Sequence, residues 1–358
     1  MHILHVQFLF ITGGTETMLV DIINEQIKTN EVSLLVINDK CNKALLDKID
    51  SRVKIYYCGR PEGSKNPWYF LKANWLLHKI HPDIIHTHDD KLRTLLRWRG
   101  KAKLVYTKHN VMDDSNGAKQ FNLIDSCYGI SKAACLKMQN YGVPAKLVYN
   151  GIHPDLIKKK EKDWMPGNIL NIIEVGRLDV EKGQQVVIEA LRILKEWKVK
   201  GITMTFIGDG ANRPILENMV KEYGLSGIVS FLGMRDRIYI YSHLCDYDLF
   251  IQPSLSEGFG LTIAEAMAAR LPVITSDQAG PLEVLDGGRL GLSFTTGDAK
   301  GLANKILDYY RGIISVDVDE GLSYVYANFD IKVTAQRYVE EYDRSEEHTS
   351  ELQSRLHL

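Results

Sequence analysis

Short apolar runs alternate with helical periodicity from one end of the chain to the other. In the first half, Ile3–Phe10, Val32–Ile37, Val53–Cys58, Ile84–His88, Leu104–His109 and Tyr128–Ser131 have the length and the β-branched or aromatic content of strands. Glu16–Lys28, Pro67–Ile80 and Ala133–Tyr141, lying between them, carry the spacing of helices. The second half repeats the scheme. Ile169–Val175, Ile202–Gly208, Val229–Leu232, Leu249–Gln252 and Val273–Ser276 read as strands, and Val186–Trp197, Pro214–Tyr223 and Leu261–Arg270 read as helices. That alternation of short β-rich runs with helical segments predicts βαβ units and parallel sheets covered on both faces. Between the halves, Lys158-Lys-Lys-Glu-Lys162 runs into Met165-Pro-Gly167 and reads as a linker. The expected fold is therefore α/β, with two doubly wound domains. The first covers residues 1–163 and is joined by a terminal helix over 330–343; the second covers 164–329.

Composition narrows the classes of function. With 358 residues there is enough chain for two domains, and a net charge of -1 gives no global field that would attract nucleic acid. Five scattered cysteines, Cys41, Cys58, Cys127, Cys135 and Cys245, show no metal spacing and suit a reducing compartment. The apolar N-terminus lacks a basic leader region, and no run reaches membrane-spanning length, so a cytoplasmic protein is expected. Residues 344–358 are polar and unpatterned. They resemble the in-frame translation of a DNA-sequencing adapter and are read as a non-native tail, which leaves the native C-terminus beyond Arg344 undefined.

Ligands of doubly wound sheets bind beyond the carboxyl ends of the strands, so candidate chemistry belongs just after strands. The richest such stretch is Pro253-Ser-Leu-Ser-Glu-Gly-Phe-Gly-Leu-Thr-Ile-Ala-Glu265. Gly258 and Gly260 allow close backbone approach, and the following helix start offers free N–H groups to an anion. Glu257 can accept from sugar hydroxyls and Glu265 from a ribose diol. Spacing alone carries little, since Glu181 and Glu189 are also eight apart.

In these residues the chain resembles the retaining GT-B-fold glycosyltransferases of family 4, the group marked by a Glu-x7-Glu signature at Glu257 and Glu265. Val175-Gly-Arg-Leu-Asp-Val-Glu-Lys-Gly183 resembles the segment whose Arg and Lys meet the donor diphosphate, here Arg177 and Lys182. Two cations preorganised there would stabilise charge on the leaving oxygens. The resemblance extends to Leu271–Val284 and covers the chain to about Tyr342. It implies two Rossmann-like domains facing across a cleft. Donor contacts would come from Arg177, Lys182, Glu257, Gly258, Phe259, Gly260, Leu261, Thr262 and Glu265. Thr12-Gly-Gly-Thr-Glu16 resembles a loop near the donor phosphates, through Gly13 and Gly14. His109 matches a histidine near the transferring sugar, where it could orient a hydroxyl, whereas His86 and His88 read equally well as structural. The implied activity is transfer of a hexose-type sugar from a nucleoside diphosphate to a glycan or lipid-linked acceptor in surface-polysaccharide assembly. No metal or other cofactor is implied. Met234 and Arg235 are candidates for touching the base.

The basic, Leu- and Trp-containing segment 91–103 could rest on an anionic membrane or be an ordinary amphipathic helix. Asp317-Val-Asp319 mimics a metal-binding Asp-x-Asp, but its position after a late helix argues for coincidence. Three other readings stay open at this level: a nucleotide-sugar epimerase or hydrolase of the same fold, a non-catalytic two-lobed sugar-binding protein, and a dinucleotide-dependent dehydrogenase. The dehydrogenase would need a G-x-G-x-x-G turn that Gly13-Gly14 does not supply.

Overall fold

The computed structural model describes residues 1–11, 13–89, 96–109 and 123–356, with side chains through 344. The chain divides into two compact units, Met1–Gly151 with Ile331–Leu358, and Ile152–Asp330.

In the first unit the elements are β1 (His2–Gln7), α1 (Gly14–Gln26), β2 (Glu31–Asn38), α2 (Lys43–Leu46), β3 (Lys54–Arg60), α3 (Trp68–Ile80), β4 (Ile84–Thr87), β5 (Lys103–Lys108), β6 (Ser126–Gly129), α4 (Lys132–Asn140) and β7 (Ala145–Leu147). The seven strands are all parallel, in the order β3-β2-β1-β4-β5-β6-β7. Ile3 lies beside Val32 on one flank and Ile84 on the other. Helices cover both faces, so β2 is buried from Val32 to Asn38 and needs no polar alternation. Strand order reverses between β1 and β4, and this places the ligand crevice at their carboxyl ends.

The second unit repeats the design with β8 (Leu170–Val175), α5 (Gln184–Glu196), β9 (Ile202–Ile207), α6 (Arg213–Glu222), β10 (Val229–Phe231), α7 (Arg237–His243), β11 (Leu249–Gln252), α8 (Leu261–Ala268), β12 (Val273–Ser276), α9 (Ala279–Val284), β13 (Leu292–Phe294), α10 (Ala299–Tyr310) and α11 (Val318–Asn328). Its parallel strands run β10-β9-β8-β11-β12-β13, reversing between β8 and β11. Its core joins Ile172, Val187, Leu191, Phe206, Leu249, Ile251 and Ile306.

The last helix, α12 (Ile331–Leu356), returns to the first unit and packs along α1. Tyr338 and Tyr342 are fully buried there among Ile3, Met18, Ile22, Val105 and Tyr128. The helix continues past Asp343, where the sequence reading ended it. No glycine or proline interrupts 331–356, so nothing local stops it.

Two expectations are corrected. Units divide at Gly151/Ile152 rather than at 163/164, because the charged stretch read as a linker is pinned to the second unit. Lys158 N–H donates to Tyr241 O, Lys160 N–H donates to Ala269 O, and Lys160 Nζ pairs with Asp248 at 2.9 Å. Segment 96–102, the described part of the basic stretch 91–103, is not helical, and residues 91–95 lie outside the described residues. The Asp317-Val-Asp319 pair has a structural explanation. Asp317 caps α11 by accepting from the N–H groups of Asp319 and Glu320, and Asp319 pairs with Arg270 at 2.7 Å. Among the described residues no helix is long and apolar enough to cross a membrane.

Candidate active site

In the second unit, the β8–β11 switch is flanked by two loops, Gly176–Gly183 after β8 and Pro253–Gly260 after β11. Their packing explains two of the glycines. Gly183 is left-handed (φ 74°), and a Cβ there would lie 2.1 Å from Pro253 O. Gly260 is also left-handed (φ 98°) and opens α8 with no side-chain cap. Leu255 N–H donates to Glu181 O at 2.8 Å, tying one loop to the other.

This packing brings Lys182 and Glu257 together. Lys182 Nζ donates to Glu257 Oε2 at 2.7 Å, with the two side chains 19% and 15% exposed. Each was expected to meet the donor separately; the structure makes them partners. An ammonium carries three donors and a carboxylate about four acceptor sites, so the pair leaves most of both inventories for a ligand. Arg177 is different. Its side chain is 69% exposed, with only long contacts to Asp179 (3.4 Å) and Glu181 (3.6 Å).

The residues around them sort by role. A Cβ on Gly258 would meet nothing within 4 Å, so that side of the residue is open to a ligand, while its carbonyl packs against Gly280. Leu261 and half-buried Thr262 begin α8, whose uncapped N-terminus suits an anion. The Thr262 hydroxyl is committed to Gln252 Oε1 at 3.0 Å. Phe259 is buried and set edge-on to Phe329, which makes it an anchor for the loop rather than an open ligand surface. Glu265 lies one turn into α8, half-buried. Met234 and Arg235 follow β10 and are exposed, with the Arg235 guanidinium over the Tyr239 ring.

Beneath the Gly176–Gly183 loop sits a group the sequence reading missed. Glu174, the next-to-last residue of β8, is fully buried. Burial pushes its carboxyl up to about 8, against the opposing pull of the Gln184 hydrogen bond and Lys182. Gln184 Nε2 donates both to Glu174 Oε1 (3.1 Å) and to Arg177 O (2.9 Å), linking the acid to the loop that carries the cations. The other oxygen, Oε2, is buried without a hydrogen-bond partner.

In the first unit, Gly13 caps α1 and Glu16 folds back over it: a Cβ on Gly13 would lie 2.3 Å from Glu16 Oε2. Gly14 faces open space. Thr12 and Asn110 lie outside the described residues. At the carboxyl ends of β1, β4 and β5 four histidines gather, and the hydrogen bonds of three of them fix which nitrogen carries the proton. Burial lowers His5 and His109 to about 4 and His86 and His88 well below their ordinary value, so each is neutral at neutral pH with one N–H. His5 Nε2 donates to Gln26 Oε1 at 2.8 Å. His5 Nδ1 must then accept from His88 Nε2 (3.2 Å), and His88 Nδ1 from His109 Nε2 (2.9 Å). The relay leaves His109 Nδ1 unprotonated, an acceptor. His86 stands outside it: its Nδ1 is hydrogen-bonded to the Tyr342 hydroxyl at 2.6 Å, and its Nε2 to Thr107 Oγ1 at 2.8 Å. His86 is therefore structural, as one sequence reading held, whereas His88 supports His109.

Nitrogens of His5, His86 and His88 lie within 4.8 Å of one another, the spacing of a metal centre. Their chemistry argues for hydrogen bonding instead. Both nitrogens of His86 are already engaged, and a divalent cation in this fully buried group of neutral rings would have no carboxylate among its three ligands to offset its charge.

Comparison with known proteins fits this architecture. The model for "Glycosyltransferase Family 4" matches residues 12–156, and that for "Glycosyl transferases group 1" matches 158–312. The chain is 29% identical over 239 residues to the amylovoran biosynthesis glycosyltransferase AmsK of Erwinia amylovora; the match covers 62% of this chain and 58% of AmsK, so it spans less than two thirds of that relative. Among solved structures, a glycosyltransferase from Rickettsia africae superposes with a TM-score of 0.80 at 21% identity, covering 96% of this chain and 98% of the other. HepE from Anabaena, solved with UDP and glucose, gives 0.76 at 21% identity, covering 95% and 99%. The two tandem family matches mark the chain as a glycosyltransferase, and the structural likeness gives it the GT-B fold.

Proposed function

We propose that the protein transfers a hexose from a nucleoside diphosphate sugar to a glycan or lipid-linked acceptor with retention of anomeric configuration, in the assembly of a surface polysaccharide. The observation that carries the reading is the Lys182–Glu257 pair beside Arg177 and the uncapped start of α8, all at the switch point of the second sheet. AmsK, named for amylovoran biosynthesis, supports the polysaccharide role, and HepE, solved with UDP and glucose, supports a nucleotide-sugar donor.

In this mechanism the leaving diphosphate gathers charge as the sugar bond breaks. Arg177, the remaining N–H groups of Lys182 and the α8 N-terminus meet that charge, stabilising the transition state without a metal ion. Glu257, oriented by Lys182, accepts from the sugar hydroxyls, while Glu265 accepts from the ribose diol. His109, presenting an unprotonated Nδ1, accepts a sugar hydroxyl. With Glu257 occupied in this way, retention follows from front-face attack assisted by the departing phosphate rather than from a covalent sugar–enzyme bond. The acceptor places the work at the inner face of the membrane, on the cytoplasmic side.

The test is the thermal midpoint of the protein with UDP, GDP or ADP, with and without magnesium. Ligand at a hundred times its dissociation constant should stabilise by about 2.7 kcal/mol. One nucleotide should raise the midpoint of the native chain without magnesium and leave Arg177→Ala/Glu265→Ala unmoved. A cooperative melt that no nucleotide shifts would overturn the donor site. Free sugar released without acceptor would point to a hydrolase instead.

A further inference from the structure

Helix α3 is apolar on two opposite sides. Ala73, Leu76, Leu77 and Ile80 face the core of the first unit. The opposite stripe is Trp68, Leu71 and Trp75, spaced i, i+3, i+7 and 60%, 41% and 57% exposed. Polar residues belong on the solvated face of a surface helix, and clustered large apolar side chains there mark a binding surface. Trp98, 58% exposed, lies on the flank of the same helix, its ring 6.1 Å from Phe70. Buried Asn74 fastens the two elements, its Oδ1 accepting from the backbone N–H groups of Arg97 (2.9 Å) and Trp98 (2.8 Å).

Along Lys65–Ile80 and residues 96–103 the charge has one sign. Neither Lys65–Ile80 nor residues 96–103 contain an acidic residue, although the whole chain has a net charge of -1. Lys65, Lys79, Arg97 and Lys101 are exposed, and Lys79 Nζ lies over the Trp75 ring at 5.4 Å. A groove of about 420 Å³ opens between the end of α3 and the segment entering β5, lined by His78, His81, Trp98, Arg99, Lys101 and Asp83. The groove also holds one carboxyl, Asp83, which accepts from the His2 N–H at 2.7 Å, and Arg99 is paired with Asp125.

We infer that this face seats the first unit on an anionic phospholipid surface. Indole rings, apolar in body and polar at one edge, settle at the boundary between headgroups and acyl chains, and flanking lysines and arginines are drawn to the negative headgroups. A protein partner would fit less well, because the cores of protein interfaces are depleted in lysine. This deepens the proposal of a membrane-borne acceptor. It relocates the contact from the stretch 91–103 alone to the outer stripe of α3 together with Arg97–Lys101, and its test needs neither donor nor acceptor.

The experiment is sedimentation of the full chain with phosphatidylcholine vesicles, plain or doped with phosphatidylglycerol. The native chain should bind the anionic vesicles and not the neutral ones. Lys79→Gln/Lys101→Gln should weaken binding by about fivefold per charge removed, and Trp68→Ser/Trp75→Ser by at least tenfold, with melting curves confirming that both variants fold. Absence of native binding, or equal binding by the tryptophan variant, would overturn the inference. So would loss of vesicle binding in millimolar inorganic phosphate at constant ionic strength, which would make the groove a soluble-anion site. A native dimer that Trp68→Ser/Trp75→Ser converts to monomer, without vesicle binding, would assign the face to a second copy of the chain. Turnover on a soluble acceptor is the separate control: if it persists, failure of docking leaves the transferase reading standing.

Discussion

Replacing Glu174 by glutamine tests the buried acid beneath the cation-bearing loop. Its carboxyl titrates near 4.5 in the unfolded chain and at about 8 in the fold, because burial disfavours the charged form. The sign follows directly. With the folded value raised, the unfolded state gives up its proton first, so stability is highest below 4.5 and falls as pH rises toward 8. At one pKa unit per about 1.4 kcal/mol, the native chain loses up to about 4 kcal/mol between pH 5 and pH 8 through this single group, an upper bound because water entry and relaxation soften it. Glu174→Gln removes the titration and keeps an acceptor for Gln184. Its amide nitrogen inherits the unpartnered position of Oε2, a penalty of about 1–3 kcal/mol that does not vary with pH. The variant is therefore expected to be no more stable than the native chain at pH 5 and to gain on it steadily up to pH 8. Urea unfolding of both proteins at four pH values, followed by a signal from the second unit, measures the difference. A stability difference that stays flat between pH 5 and 8 would refute the assignment of a neutral, buried acid at this position.

Three further outcomes are expected. Lys182→Met should lower kcat/KM by about a hundredfold or more, the scale of losing one preorganised charge donor, because Glu257 loses its partner as well as the phosphate losing a cation; a change under threefold in steady-state assays would contradict this role. Transfer should stay independent of His109 ionisation until pH falls toward 4, since the neutral ring is the working form; Gln26→Leu should release the proton pattern, so that long-range ¹H–¹⁵N spectra of labelled histidines show His109 changing from Nε2–H to a mixture of tautomers. Asp317→Ala should cost about 1 kcal/mol through the lost cap of α11 and leave any dependence of turnover on divalent ions unchanged.

The sheets were legible because both faces of each are covered, so their strands appear as short, mainly apolar runs. Leu249–Gln252 and Val273–Ser276 match the structure residue for residue. The elements that escaped are those whose local pattern is too short or points elsewhere. β7 is three residues at a sheet edge, none of them buried. In α7, Arg237-Ile-Tyr-Ile-Tyr-Ser-His243 has no helical stripe; what makes it a helix is Asp236 at its cap, accepting from Tyr239 N–H at 2.8 Å. The charged run at 158–162 looks solvated in sequence. Its attachment depends on Asp248 and Tyr241, about eighty residues further on, which no local pattern can reveal.

The candidate site divides along the same line. Glycines, the helix start and the cations were readable because each lies within a single strand-end loop. How they combine was not. Lys182 and Glu257 are 75 positions apart, and only the β8–β11 adjacency makes them an ion pair rather than two independent contacts. His86 and His88 were ambiguous taken singly, since a strand-end histidine is as often structural as functional. The deciding partner, His5, lies on β1 within an apolar run, and its proton is placed by Gln26 on α1, more than eighty positions before His109. A polar residue flanked by apolar ones within a buried strand was the available signal in both units, at His5 and at Glu174. In each case the buried group supports the strand-end loop rather than lying in it. That is why motif spacing located the loops, and only tertiary structure located what holds them.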